Sequence, residues 1–199
     1  MPKSKGMKNM DLWQLPDSVN LGGKPFGFDP DYRNILEIFH WFQNPNLTDF
    51  FKWEICLALF YKETIPEDLV PQAISYFLDF VNMGAPSRPG PRLIDWEQDA
   101  GLILSDINGL LGRDIRKEKN IHWWTFLSWF HSITSGQLLS VVQVRRKLSL
   151  HQPLTEEEKA FYRQAKDRID LKARYTPEEQ AQRAALNALL DGKRQVNHG

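Results

Sequence analysis

A chain of 199 residues with 42% hydrophobic and 25% charged residues has the size and balance of one ordinary globular domain, with room for a small appendage. Its 25 Lys and Arg offset 25 Asp and Glu, so no global field draws it to nucleic acid or to an acidic membrane. The single cysteine, Cys56, excludes an internal disulfide framework and reads as a buried thiol in the run "EICLALF".

Residues 1–12 are polar and basic, lack the apolar stretch of a secretory signal, and are expected as a disordered lead-in. "VNLGGKPFGF" alternates apolar residues around Gly22-Gly23, which predicts a short β-hairpin. Helical patterns follow. "DYRNILEIFHWFQ" places Ile35, Ile38, Phe39 and Phe42 on one face and ends at Asn44-Pro45. "LTDFFKWEICLALFYKE" starts at a Thr48 or Asp49 cap. "IPEDLVPQAISYFLDFVNMG" has Pro66 and two acids in its first turn and stops at Gly84. Residues 85–92 are a proline-rich loop.

"DWEQDAGLILSDINGLLG" predicts a helix over 95–112, with Trp96, Ala100, Ile103, Ile107 and Leu110 as a core-facing stripe and Gly112 just past its end. "IHWWTFLSWFHSI" and "SGQLLSVVQVRRKLSL" come next, separated at Ser135-Gly136. Capping boxes at Thr155–Glu158 and Thr176–Glu179 open two further helices, the second Ala-rich and in need of a partner. The fold class is therefore mainly α: a compact multi-helix domain over 13–150 with a short N-terminal hairpin, a C-terminal helical extension over 151–191 and a frayed tail over 192–199.

The segment "NIHWWTFLSWF" holds three of the seven tryptophans beside His122. Residues 121–144 carry no charge and are long enough to span a bilayer, but the histidines, glutamines and Ser135-Gly136 within them argue against a spanning helix. Trp123, Phe126 or Leu127, and Phe130 share helical spacing that Ile133 continues, so at least one tryptophan is expected in the core. Trp124 lies about 100° round, so one of the pair Trp123 and Trp124 is expected at a groove or at the surface.

Asp95, Asp99 and His122 are the one candidate acid/base or metal set, yet no second histidine stands at ligand spacing. No nucleophile elbow, P-loop or paired CxxC occurs. A structural polar network of Asp95, Asp99, His122 and Arg145 is the stronger reading. A carboxylate beside an apolar stripe needs a partner, and His122 or Arg145 can supply one. The basic-aromatic stretches of the C-terminal third are interleaved with acids and read as solvated faces, without a nucleic-acid partner.

"LIDWEQDAGLILSDINGLLGRDI", "IHWWTFLSWFHSI", "VVQVRRKLSL" and "EEEKAFYRQAKDR", with the earlier "FDPDYRNIL" and "LALFYKETIPED", resemble the bacteriophage gene-product-fifteen family. The resemblance implies a non-enzymatic protein of the host cytoplasm, without cofactor or membrane partner, that acts in tail assembly. It implies a chaperone component that binds the tape measure protein or other tail proteins while the tail tube forms. Trp41, Trp53 and Trp129, where exposed, are candidate partner anchors, and the Ala-rich helix is a candidate for self-association. The alternatives are a helical structural protein retained in the virion, and a metal-dependent enzyme using Asp95, Asp99 and His122.

Overall fold

The computed structural model describes residues 13–86 and 90–184. The expected lead-in over 1–12, the end of the Ala-rich helix past 184 and the tail over 192–199 lie outside the described residues. The architecture is mainly helical with a two-stranded N-terminal hairpin, as the sequence predicts. Strands β1 (Ser18–Leu21) and β2 (Lys24–Gly27) pair antiparallel, with Val19 opposite Phe26. Gly22 and Gly23 both take positive φ, and a Cβ on Gly22 would lie 2.8 Å from a Leu69 methyl. Only glycine fits that first turn position without strain.

Asp31 caps α1 (Tyr32–Phe42) by accepting from the Arg33 amide at 2.8 Å. Then come α2 (Asp49–Phe60) and, after a 3-10 turn at Glu67–Leu69, α3 (Val70–Val81). The first core is built on aromatic rings. Phe28 stacks on Phe60 at 4.6 Å between centroids and meets Phe80 edge-on at 5.0 Å, which binds the end of the hairpin to α2 and α3.

The helix expected over 95–112 is shorter: α4 runs Ala100–Leu111, and residues 96–99 form a separate turn. The Asp95 carboxylate caps that turn through the amides of Glu97 and Gln98, both at 2.9 Å. Asp99, at ψ 0, turns its own carboxylate back to the Asp95 amide at 2.9 Å. These local bonds compete with a continuous helix. Ile103 and Ile107 of the stripe are buried, whereas Leu110 is half exposed.

Residues 121–144 form two short helices, α5 (Trp123–His131) and α6 (Gln137–Ser149). No helix among the described residues is long and apolar enough to cross a membrane. The Asp106 carboxylate on α4 caps α6 at the Leu138 amide, and Gly136, at φ 124, leaves room for it. Helix α7 (Glu156–Ile169) opens on the predicted capping box at Thr155 and packs on α6, where Val141, Val144 and Ile169 form a second small core. The capping box at Thr176 is also formed, and residues 177–184 are helical and wholly exposed.

Candidate functional site

Among the described residues the buried polar side chains are Asp95, Asp99, His122 and Arg145, the four that the sequence groups together. The structure joins three of them. Arg145 comes from the middle of α6, where Val141 and Val144 hold the helix face against the body. Its Nη1 and Nη2 meet Asp99 Oδ2 and Oδ1 at 2.6 and 2.9 Å. Its remaining donors go to backbone oxygens: Nε to Ile169 at 2.6 Å, Nη1 to Leu93 at 2.9 Å and Nη2 to Arg168 at 2.8 Å. All five guanidinium N–H groups are thus matched by acceptors, the condition for burying arginine without a large penalty.

The rest of "DWEQD" serves the same junction. Gln98 Nε2 donates to the Asp170 carbonyl at 2.8 Å and its Oε1 accepts from the Lys172 amide at 3.0 Å. Arg174 reaches Asp95 Oδ2 at 3.2 Å and Glu97 Oε2 at 2.9 Å, and Arg92 also pairs with Asp95. Burial pushes the Asp95 carboxyl up. The amides of Gln98 and Glu97 and the Arg174 charge outweigh this and hold it below the ordinary value. The cluster is a clamp that ties residues 168–174 to the start of α4. Both Asp99 oxygens face the guanidinium, so neither is open to abstract a proton.

His122 is not in this network, contrary to the expectation that it could partner Asp99. It is the N-cap of α5: Nδ1 accepts from the Trp124 amide at 3.0 Å, so that nitrogen carries no proton. Nε2 then carries the hydrogen and donates to the Pro16 carbonyl at 3.0 Å. Burial pushes its pKa down, opposed by the Pro16 bond and by Asp17. A neutral, doubly bonded imidazole explains why histidine stands where Ser or Asp usually caps a helix.

The expectation that one of Trp123 and Trp124 faces outward is not met, since they are 1% and 2% exposed. The first turn of α5 is covered on two sides. Trp123 packs on Phe39, Trp96 and Phe126, and its Nε1 donates to the Val81 carbonyl at 3.0 Å. Trp124 stacks on Phe80, and its Nε1 donates to the Phe80 carbonyl at 2.8 Å. Two consecutive indoles therefore donate to carbonyls in the last turn of α3, where the Phe80 carbonyl also accepts from the Met83 amide at 3.1 Å. Phe126 is buried and Phe130 half-buried against Trp96.

The suggested anchors are not exposed either. Trp41, Trp53 and Trp129 are half-buried; Trp53 packs edge-on against Phe42, and Trp129 lies against the main core. The aromatics that do face solvent, with Trp13, are Phe50 and Phe51 at the start of α2. Sequence reasoning passed over them because the same helix carries a tryptophan and a long apolar run. It also passed over Gln98, Arg174 and Pro16, whose partners lie 70 or more residues away. Among the described residues no three His, Cys, Asp or Glu side chains come together in a way that could hold a metal ion.

Fold and site thus define a mainly helical protein whose buried charges act as an architectural clamp. Residues 78–171, just under half of the chain, match the family model described as Bacteriophage Gp15 protein. The match supports the resemblance to that family and a phage origin for the chain, and no enzyme family is indicated. No curated protein and no solved structure matches the chain. The matched span contains every partner of the Arg145 guanidinium and both carbonyls that receive the indoles.

Proposed function

We propose that the protein is a non-enzymatic bacteriophage tail assembly factor, a chaperone component that acts in the host cytoplasm by binding the tape measure protein or another tail protein. The observation that carries this reading is the family match over residues 78–171. The geometry agrees with it. The charged residues that could have formed a catalytic set are consumed by the Asp99–Arg145 clamp and by the His122 cap. What remains available to a partner is surface: exposed aromatics on α2 and an exposed helix at 177–184.

The test is co-expression with the tape measure protein of the same phage, followed by size-exclusion chromatography. Co-elution in a defined ratio is expected. Separate elution of two soluble proteins contradicts the partner. Recovery of the chain in stoichiometric amount from mature particles would instead make it a structural component of the virion.

A further inference from the structure

Helix α2 is apolar on nearly every side, in the order Phe50, Phe51, Trp53, Ile55, Cys56, Leu57, Leu59 and Phe60. A helix of that composition is normally enclosed. Here the inner face is buried through Cys56, Leu57 and Phe60, while Phe50 and Phe51 stay 68% and 56% exposed, packed edge-on against one another at 5.6 Å. One turn further on, a groove of about 280 Å³ opens along the same helix. Leu57, Ala58, Tyr61, Ile65 and Val70 give it an apolar lining, and Glu54, Lys62 and Glu63 a charged one.

Helical spacing joins the two features. Phe50, Glu54 and Leu57 follow at steps of four and three, and Phe51 leads to Ala58 at a step of seven, so the phenylalanines extend the groove wall. From Phe50 to Ala58 the face is roughly 12 Å long, the rise of just over two helical turns. The groove itself carries Glu54, Lys62 and Glu63, and the stretch of chain around it is acidic. Residues 49–70 carry five carboxylates, at 49, 54, 63, 67 and 68, against two lysines. Lys52 and Asp49 pair with one another at 3.7 Å, which leaves Glu54, Glu63, Glu67 and Asp68 against Lys62.

We propose that this face is the docking site for an amphipathic helix of a partner protein, with lysines or arginines flanking its apolar stripe. An apolar stripe of that length, led by Phe50 and Phe51, fits anchors at i, i+3, i+4 and i+7. The excess of carboxylates selects basic flanks and raises the rate of encounter. This rests on the reading that the protein acts by binding another protein, and adds where and with what chemistry.

The probes are two labelled helical peptides with the same leucine stripe, one with lysine flanks and one with glutamate flanks, titrated with the full chain by fluorescence anisotropy. The lysine peptide is expected to bind at least about tenfold tighter and to weaken as salt rises. The Phe50→Ser/Phe51→Ser variant, whose changed residues are exposed, should keep the wild-type circular dichroism and bind about tenfold more weakly. Glu54→Lys should narrow the preference between the peptides. Equal binding of both peptides, or undiminished binding by the double serine variant, overturns the proposal. So does self-association of the chain that the double variant abolishes, because the occupant would then be a second copy. If the tape measure protein co-elutes equally with wild type and variant, this surface is wrong and the functional reading stands. If the peptides behave as expected but no tail protein co-elutes, the functional reading is wrong and the surface stands.

Discussion

Arg145 and Asp99 meet as a two-pronged ion pair with side chains 4% and 0% exposed, and the same guanidinium holds the carbonyls of Leu93, Arg168 and Ile169. One side chain thus closes the junction between α4, α6 and the end of α7. Removing one partner strands a buried charge. Asp99→Ala is expected to lose about 3–5 kcal/mol of stability. Asp106→Ala, which removes a single helix cap, should lose about 1 kcal/mol. Urea midpoints compare the two, and equal midpoints count against the clamp.

Arg145→Lys should be nearly as harmful, because an ammonium cannot fill five acceptors arranged around a planar fork. Even replacing both partners, as Asp99→Leu with Arg145→Met, should not restore wild-type stability. Simple buried pairs often tolerate such a swap, but here the Leu93 and Ile169 oxygens lose their donor and the Arg168 oxygen keeps only Gln98 Nε2 at 3.2 Å. A double variant as stable as wild type would show that those carbonyl bonds contribute little.

Trp123→Ala and Trp124→Ala should each destabilise by about 3–5 kcal/mol, since both rings are buried. Trp123→Phe should lose less, on the order of 1–3 kcal/mol, chiefly from the Val81 carbonyl left without its indole donor, and Trp124→Phe less still, because the Phe80 carbonyl keeps the Met83 amide. Thermal melting distinguishes these outcomes. An unchanged melting temperature for either alanine variant would mean that its indole is not part of the core.

His122 makes stability depend on pH. Its folded pKa lies below the ordinary value, so the folded protein resists protonation and the unfolded chain does not. The neutral ring contributes fully above about pH 6.5, and that contribution falls as pH drops from there toward the folded pKa. Asp95, also depressed, adds a separate loss as pH falls below about 4. His122→Asn keeps a capping acceptor and should flatten the dependence between pH 7 and 5. Urea unfolding across that range reads the slope, and an identical slope in the variant would assign the titration to another group.

Chain truncation tests how far the C-terminal segment is integrated. Among the described residues, ending the chain at Tyr175 removes the exposed helix at 177–184 and its Thr176 cap, and should leave cooperative unfolding in place. Ending it at Lys166 removes Arg168, Ile169 and Asp170, whose backbone oxygens accept from Arg145 and Gln98. That shorter chain should lose several kcal/mol, on the scale of a broken buried charge network.

The hairpin, the order of helices and their caps were legible because each rests on local chemistry. Gly22-Gly23, Asp31, Thr155 and Thr176 act within a few residues of themselves. Arg145 as a partner of Asp99 was also legible, from the need of a buried carboxylate. The failures were tertiary. Helical spacing places Trp123 and Trp124 on different faces, but it cannot say that α5 is enclosed on both. The contact of His122 with Pro16 spans 106 positions and leaves no local trace. The turn at 95–99 broke the expected helix because Asp95 and Asp99 bond to nearby amides, a competition that the apolar stripe hides.

The proposed role, holding another tail protein during tail assembly, is open to electron microscopy of particles made by phage lacking the gene. The expected result is assembled heads without tails of normal length, restored when the wild-type chain is supplied from a plasmid. Tails of normal number and length in its absence would contradict the claim.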